Sequence, residues 1–194
     1  TLHGLEVSAD VYSLDNKLLL HRSSMLDAAY DDETRALNLD LAPLMGNGVV
    51  LVHLALHAQD GHLLSQNLYW RAASDAGYRA LNQLPPVAVA MTARLEPEAD
   101  KTGASERRIE VHLKNTGPVA ALNTKLVAVD ASDGVQVLPA YYSDNYISLL
   151  PGEERSITID LPADAGNRAL SVKLRGWNAV QTTADVMHEE STRH

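Results

Sequence analysis

In residues 107–115, RRIEVHLKN, the apolar side chains fall on every second position: Ile109, Val111 and Leu113 alternate with Arg108, Glu110, His112 and Lys114. Successive side chains of a strand point to opposite faces, so this period gathers the apolar residues on one side; a helix would scatter them around its circumference. The same pattern returns in ERSITIDL, with Ile157, Ile159 and Leu161 on one face. It returns again in LSVKLR, where Leu170, Val172 and Leu174 alternate with Ser171, Lys173 and Arg175. A chain written this way makes antiparallel sheets with one dry face and one wet face.

Strand-like runs in the second half lie near 87–95, 107–115, 121–130, 135–142, 145–150, 154–161 and 168–176, with an eighth near 179–186. Seven or eight short strands over about 100 residues is the count of an immunoglobulin-like sandwich. The turns are written in the expected residues. Pro151 presets one φ and Gly152 accepts a positive one, which suits the centre of a type II turn. Before residue 75 the runs fall near 5–14, 17–22, 35–41, 49–57 and 62–70. Leu5, Val7, Ala9 and Val11 share a face, as do Leu37, Leu39 and Leu41, and Val50, Val52, Leu54 and Leu56. Asp15-Asn16 and Gln59-Asp60-Gly61 supply hairpin turns. Pro85-Pro86 can neither continue a helix nor donate to a ladder, and reads as a stiff joint. The expected architecture is all-β, two tandem immunoglobulin-like β-sandwich domains over 1–84 and 85–187, followed by a polar tail at 188–194. Five strands against seven or eight imply that the first sandwich lacks its opening strands. Leu5 to Tyr12 is then expected to be an interior strand, with a bare edge beside Leu5, Val7 and Val11 unless other polypeptide covers it.

Sixteen Lys+Arg against twenty-five Asp+Glu leave a net charge of −9, which repels phosphate backbones and anionic membrane surfaces. Nucleic acid and membrane are not expected partners. The longest apolar run, GVVLVHLALHA, carries two histidines and is far short of the roughly 20 residues of a membrane helix. With no cysteine there is neither a disulfide nor a zinc–thiolate site. That leaves the compartment open, with a periplasmic or secreted setting favoured.

His53 and His57 have the HxxxH spacing of a metal pair, but that spacing joins two imidazoles only on a helix. On a strand they stand about 13 Å apart and read as half-exposed histidines rather than ligands. No metal and no cofactor are expected. Glycosidase chemistry needs two carboxylates facing each other across a cleft, at roughly 5 to 9.5 Å. Glu6, Asp10, Asp40, Glu110 and Asp160 all fall on solvent faces of strands, and Glu153-Glu154 follow a turn, so no catalytic residue is assigned. The remaining candidates are aromatic. Tyr69 and Trp70 end a strand, where core or interdomain packing is the expected role. Tyr142, Asp144, Asn145 and Tyr146, with Trp177, form the candidate sugar-facing or interdomain set. Asp144 and Asn145 would be costly to bury unpaired, which leaves hydrogen bonding around the Pro151-Gly152 hairpin or exposure toward a partner.

Three segments taken in order, SQNLYW, VLPAYYSDNYISLLPGE and GWNAV, resemble the C-terminal region of family 2 glycoside hydrolases of the exo-β-glucosaminidase and β-mannosidase type. ADVYSLDNKLLLHRS and IEVHLKNTG resemble the same region, so the similarity extends to about Val186. The resemblance implies a multidomain enzyme. Its catalytic glutamates would lie in a (β/α)8 barrel outside these residues, with the present β-sandwiches as non-catalytic supports for that barrel and for the rim of the sugar site. The partners so implied are the barrel and upstream domains of the same polypeptide and its carbohydrate substrate. The alternative is a free-standing carbohydrate-binding or cell-surface interaction module.

Overall fold

The computed structural model describes residues 2–31, 33–46, 48–96, 107–162 and 168–187. The chain divides into two compact units, Thr1–Pro85 and Pro86–His194. The expected polar tail at 188–194 lies outside the described residues.

The first unit is one antiparallel sheet of β1 (Leu2–Ser13), β2 (Leu18–Ala28), β3 (Val49–His57) and β4 (Leu63–Ala72), in the order β2-β1-β3-β4. The β1–β2 hairpin turns where expected. Asn16 takes φ 64°, a conformation asparagine tolerates, while the Ser13 N–H donates to the Lys17 carbonyl at 2.9 Å. Cross-strand register aligns Ala9 with Leu54 and Val11 with Val52, so the apolar residues of both strands share one face. Val11, Val50 and Val52 are buried there beneath Leu39, Leu41, Leu44 and Met45.

Two expectations are corrected in this unit. Residues 35–41 form no strand. Leu39 and Leu41 do point inward, but they cover the sheet as an irregular flap that runs into a single helical turn, α1 (Ala42–Met45). Alternation records which side is dry; it does not require a neighbour to pair with. Nor does β1 carry a bare edge, because it is paired along both sides, and Leu5, Ala9 and Val11 are buried. The edges of the sheet are instead β2, where Leu18 and Met25 are exposed, and β4. The sequence reading also missed a 3-10 helix, Asp75–Gln83, which buries Leu81 and sends the Tyr78 hydroxyl to the Trp70 carbonyl at 3.4 Å.

The second unit holds β5 (Val89–Leu95), β6 (Arg107–Asn115), β7 (Ala121–Asp130), β8 (Tyr141–Tyr142), β9 (Ile147–Leu149), β10 (Glu154–Leu161), β11 (Leu170–Arg175) and β12 (Thr182–Met187). Their order is β8-β10-β6-β5-β12-β11-β7-β9, and the junction is the parallel pairing of β12 with β5. Only a ribbon folded over on itself can dry one face along its whole width. Ile109, Val111, Leu113, Ile157, Ile159 and Leu161 from one half, and Leu122, Leu126, Val172 and Leu174 from the other, are at most 2% exposed. Each such side chain contributes about 1.5 to 3 kcal/mol on leaving water. The run expected at 135–142 shortens to β8 and an isolated bridge between Val129 and Gln136.

Asn115 ties one end of the sandwich together. Fully buried, it donates from Nδ2 to the carbonyls of Val119 and Leu149, both at 2.9 Å, and accepts from Gly117 N–H through Oδ1. Gly117 is required there by space, since a Cβ would lie 1.8 Å from Cγ1 of Val87.

Candidate functional site

Tyr142, Asp144, Asn145 and Tyr146 lie where β9 is too short to pair with all of β7. Along the open part of that edge, side chains take the place of a strand. Asn145 Oδ1 accepts from Leu126 N–H at 2.8 Å and Nδ2 donates to the Leu126 carbonyl at 3.1 Å. Two residues on, the Tyr142 hydroxyl accepts from Ala128 N–H at 3.0 Å, and Val137 N–H donates to the Ala128 carbonyl at 3.0 Å. At the near end the Thr124 hydroxyl donates to the Ile147 carbonyl at 2.8 Å. The ladder groups of Leu126 and the N–H and carbonyl of Ala128 are thereby all engaged, as buried backbone polar groups must be.

The remaining candidates are spread around this repair. Asp144 is exposed; its Oδ1 accepts from Asn145 N–H at 2.7 Å and its Oδ2 stands 3.9 Å from Arg155 Nη1. Arg155 also bonds Glu153 Oε1 at 3.0 Å, so a guanidinium lies beside both carboxylates. Asp144 and Glu153 thereby form an ion-pair cluster around Arg155. Tyr146 takes φ 59° and is 57% exposed, with Lys125 Nζ 5.2 Å from its ring centre. An aromatic residue in the left-handed region is strained, and the ammonium over the ring helps hold it there. Trp177 is 52% exposed, and its N–H donates to the Leu122 carbonyl at 2.8 Å.

Asn145 therefore reaches across to β7 rather than to the Pro151-Gly152 hairpin. Its tie to Asp144 is local, and Asp144 meets the hairpin's outgoing strand through Arg155. Trp177 belongs to a second repair of the same kind. Its neighbour Asn178, 8% exposed, accepts from Leu122 N–H and donates to the Ala120 carbonyl, both at 2.9 Å. Sequence reasoning singled out the tryptophan and passed over Asn178, Asn115, Lys125 and Arg155. Asparagines beside glycine or an aromatic, in KNTG and GWNAV, were the available signal, since a buried amide can copy a backbone unit with one donor and one acceptor.

His53 and His57 sit half-buried on the face opposite Val52, and His53 Nε2 lies 3.0 Å from Gln66 Oε1. Among the described residues no group of three or more His, Asp or Glu is placed to hold a metal. Two carboxylates of the second unit are pushed down from their ordinary range. A Lys114 hydrogen bond and its charge, helped by His112, lower the Glu154 pKa, and hydrogen bonds from Ser132 lower that of Asp130.

A folded-over ribbon of eight strands, antiparallel except where β12 meets β5, defines an immunoglobulin-like β-sandwich. More narrowly, the family model described as the exo-beta-D-glucosaminidase Ig-fold domain matches residues 67–179, and the chain belongs to that family. It is 31% identical over 152 residues to an exo-beta-D-glucosaminidase of Streptomyces avermitilis, which covers 69% of this chain and 16% of that protein. It is 29% identical over 201 residues to an exo-beta-D-glucosaminidase of Amycolatopsis orientalis, covering 90% and 19% respectively. The crystal structure of the Amycolatopsis orientalis exo-chitosanase CsxA superposes with a TM-score of 0.73 at 26% identity, over 95% of this chain and 24% of that one. The chain thus spans between 16% and 19% of the length of these two curated relatives.

Proposed function

We propose that this chain is a non-catalytic β-sandwich part of a family 2 glycoside hydrolase acting on terminal β-glycosides, either a β-glucosaminide or a β-mannoside. It supports the catalytic barrel and the rim of its sugar site. The observation that carries this reading is the match over 95% of the chain to about a quarter of an exo-chitosanase. The absence of a facing carboxylate pair among the candidate residues supports it, since Asp144 and Glu153 are both engaged with Arg155. So does charge. A glucosaminide bears an amine that is protonated near neutral pH, and a net charge of −9 raises the local concentration of such a substrate. The domain limits carried with the proposal are 1–84 and 85–187.

Two measurements test it. The mass of the protein isolated from its own cells should correspond to a polypeptide several times longer than this chain. The pure 194-residue chain should not turn over a chromogenic β-glucosaminide or β-mannoside. Turnover abolished by replacing an acid of this chain would overturn the reading. The exposed rings of Tyr146 and Trp177 favour a second reading, a free-standing carbohydrate-binding or surface interaction module. Retention of the isolated chain on a glycan array, lost on Trp177→Ala, would select it.

A further inference from the structure

The two outer faces of the second unit are charged by different rules. On β6 and β10 opposite charges are in register: Arg108 faces Asp160 with contacts of 2.6 and 3.1 Å, and Lys114 faces Glu154 at 2.7 Å. On β7 and β11 the directly opposed pair is Lys125 and Arg175, both cations. Like charges placed opposite one another destabilise a sheet, and no described carboxylate is within ion-pair distance of either. Lys173, two positions from Arg175 on the same face, adds a third cation and donates to the Gly134 carbonyl at 3.4 Å. One acid on this face, Asp185, is opposite Ser171 at the other end of β11 and accepts its hydroxyl at 2.8 Å. Tyr146 extends the row past Lys125, fixed there in its strained conformation.

We infer that this face, centred on Lys125 and Arg175, is a docking surface for a carboxylate-bearing segment of the remaining polypeptide of the parent enzyme. The inference rests on the reading given under Proposed function. Charge complementarity selects the occupant. Three cations concentrated on one face of a chain with net charge −9 call for an anion, and the exposed Arg175 guanidinium can take a carboxylate through two parallel bonds. A glucosaminide, itself cationic, is repelled. The ammonium over the Tyr146 ring also takes up one of the faces a sugar would stack on. The face therefore turns toward protein and not toward substrate.

The test is carried out on the full-length enzyme and on the 194-residue chain, with an amine-acylating reagent and a zero-length carbodiimide, each mapped by mass spectrometry. Lys125 should be acylated in the isolated chain and protected in the full-length enzyme, with Lys17 unchanged as the control. The carbodiimide should join Lys125 to an Asp or Glu outside these residues. Arg175→Glu should abolish that cross-link and Arg175→Lys should retain it. Equal acylation of Lys125 in both proteins, with no cross-link, would overturn the inference and leave the parent-enzyme reading intact. Retention of the isolated chain on immobilised polygalacturonate, with Lys125 protected by that polymer, would overturn it in favour of an anionic glycan. A native protein no longer than this chain would overturn both.

Discussion

Asn145 and Asn178 do the work of missing strand residues, and their removal is expected to cost more than that of an ordinary surface amide. Asn145→Ala withdraws a donor and an acceptor from Leu126, leaving both its edge groups without those partners. A loss of about 2 to 3 kcal/mol is expected, read as a lower urea midpoint with an unchanged slope. Asn145→Asp separates geometry from polarity. It keeps the acceptor for the Leu126 N–H but sets a carboxylate oxygen against the Leu126 carbonyl, so it should fall below wild type as well. Asp144 offers the contrast, being exposed and 3.9 Å from its cation. An Asp144→Ala change is expected to cost under about 1 kcal/mol. A larger loss there, with Asn145→Ala silent, would reverse the assignment of structural weight between the two residues. These roles were half legible in advance: the polar cluster could be recognised, but which amide bonded which strand depends on β9 stopping early, and nothing local encodes that length.

At the scale of the elements, alternation was a reliable guide wherever both faces of a run differ in character. Residues 107–115 and 154–161 form β6 and β10 with those limits, because Ile, Val and Leu alternate there with charged or polar side chains; 121–130 forms β7 with its limits too, although its apolar residues run together from Leu126 to Val129. It misled at 35–41, where Leu37, Leu39 and Leu41 alternate but the chain only lies over the sheet. It was silent about the 3-10 helix at 75–83, whose burial amounts to Gly77 and Leu81. The turns, by contrast, were fixed by residue chemistry, and Gly152 takes φ 79°. Gly117 gives the sharpest test at this scale. Its replacement by Ala would force Val87, itself 1% exposed, out of its place between the strands. Gly117→Ala is expected to destabilise by about 1 to 3 kcal/mol through overpacking. Val87→Ala in the same chain should recover part of the loss, and a failure to recover any would show that the backbone, not the valine, refuses the methyl group.

Across the whole molecule the two units are unequally supplied with core. Among the described residues, nine buried apolar side chains lie in Thr1–Pro85 and twenty-two in Pro86–His194. Hydrophobic burial opposes a conformational entropy that grows with every ordered residue, so the first unit has far less to set against a similar cost. Acid should reveal the difference in the second unit's charge network. Because the Glu154 and Asp130 pKa values are lowered in the folded state, the stability they contribute is complete above the ordinary carboxylate range and is lost as pH falls through their depressed values. Glu154→Gln should therefore lower the melting temperature slightly near neutral pH, the pair being exposed and screened, and converge with wild type at the acid end, which flattens the acid limb of the profile. The unequal cores lead to a stronger expectation. Residues 86–187 produced alone should fold and unfold cooperatively, with dispersed amide resonances and a sharp urea transition. Residues 1–84 alone present an open β2 edge with Leu18 and Met25 exposed, above only nine buried apolar residues, and should be marginal and prone to self-association. Met25→Lys, which charges that edge without touching the buried face, should reduce the association without raising stability. If instead residues 1–84 melt cooperatively as a monomer, with a stability comparable to that of 86–187, then the flap over Val50 and Val52 and the turn around Leu81 would be a sufficient core. The sheet would then need no further strands from elsewhere in the polypeptide.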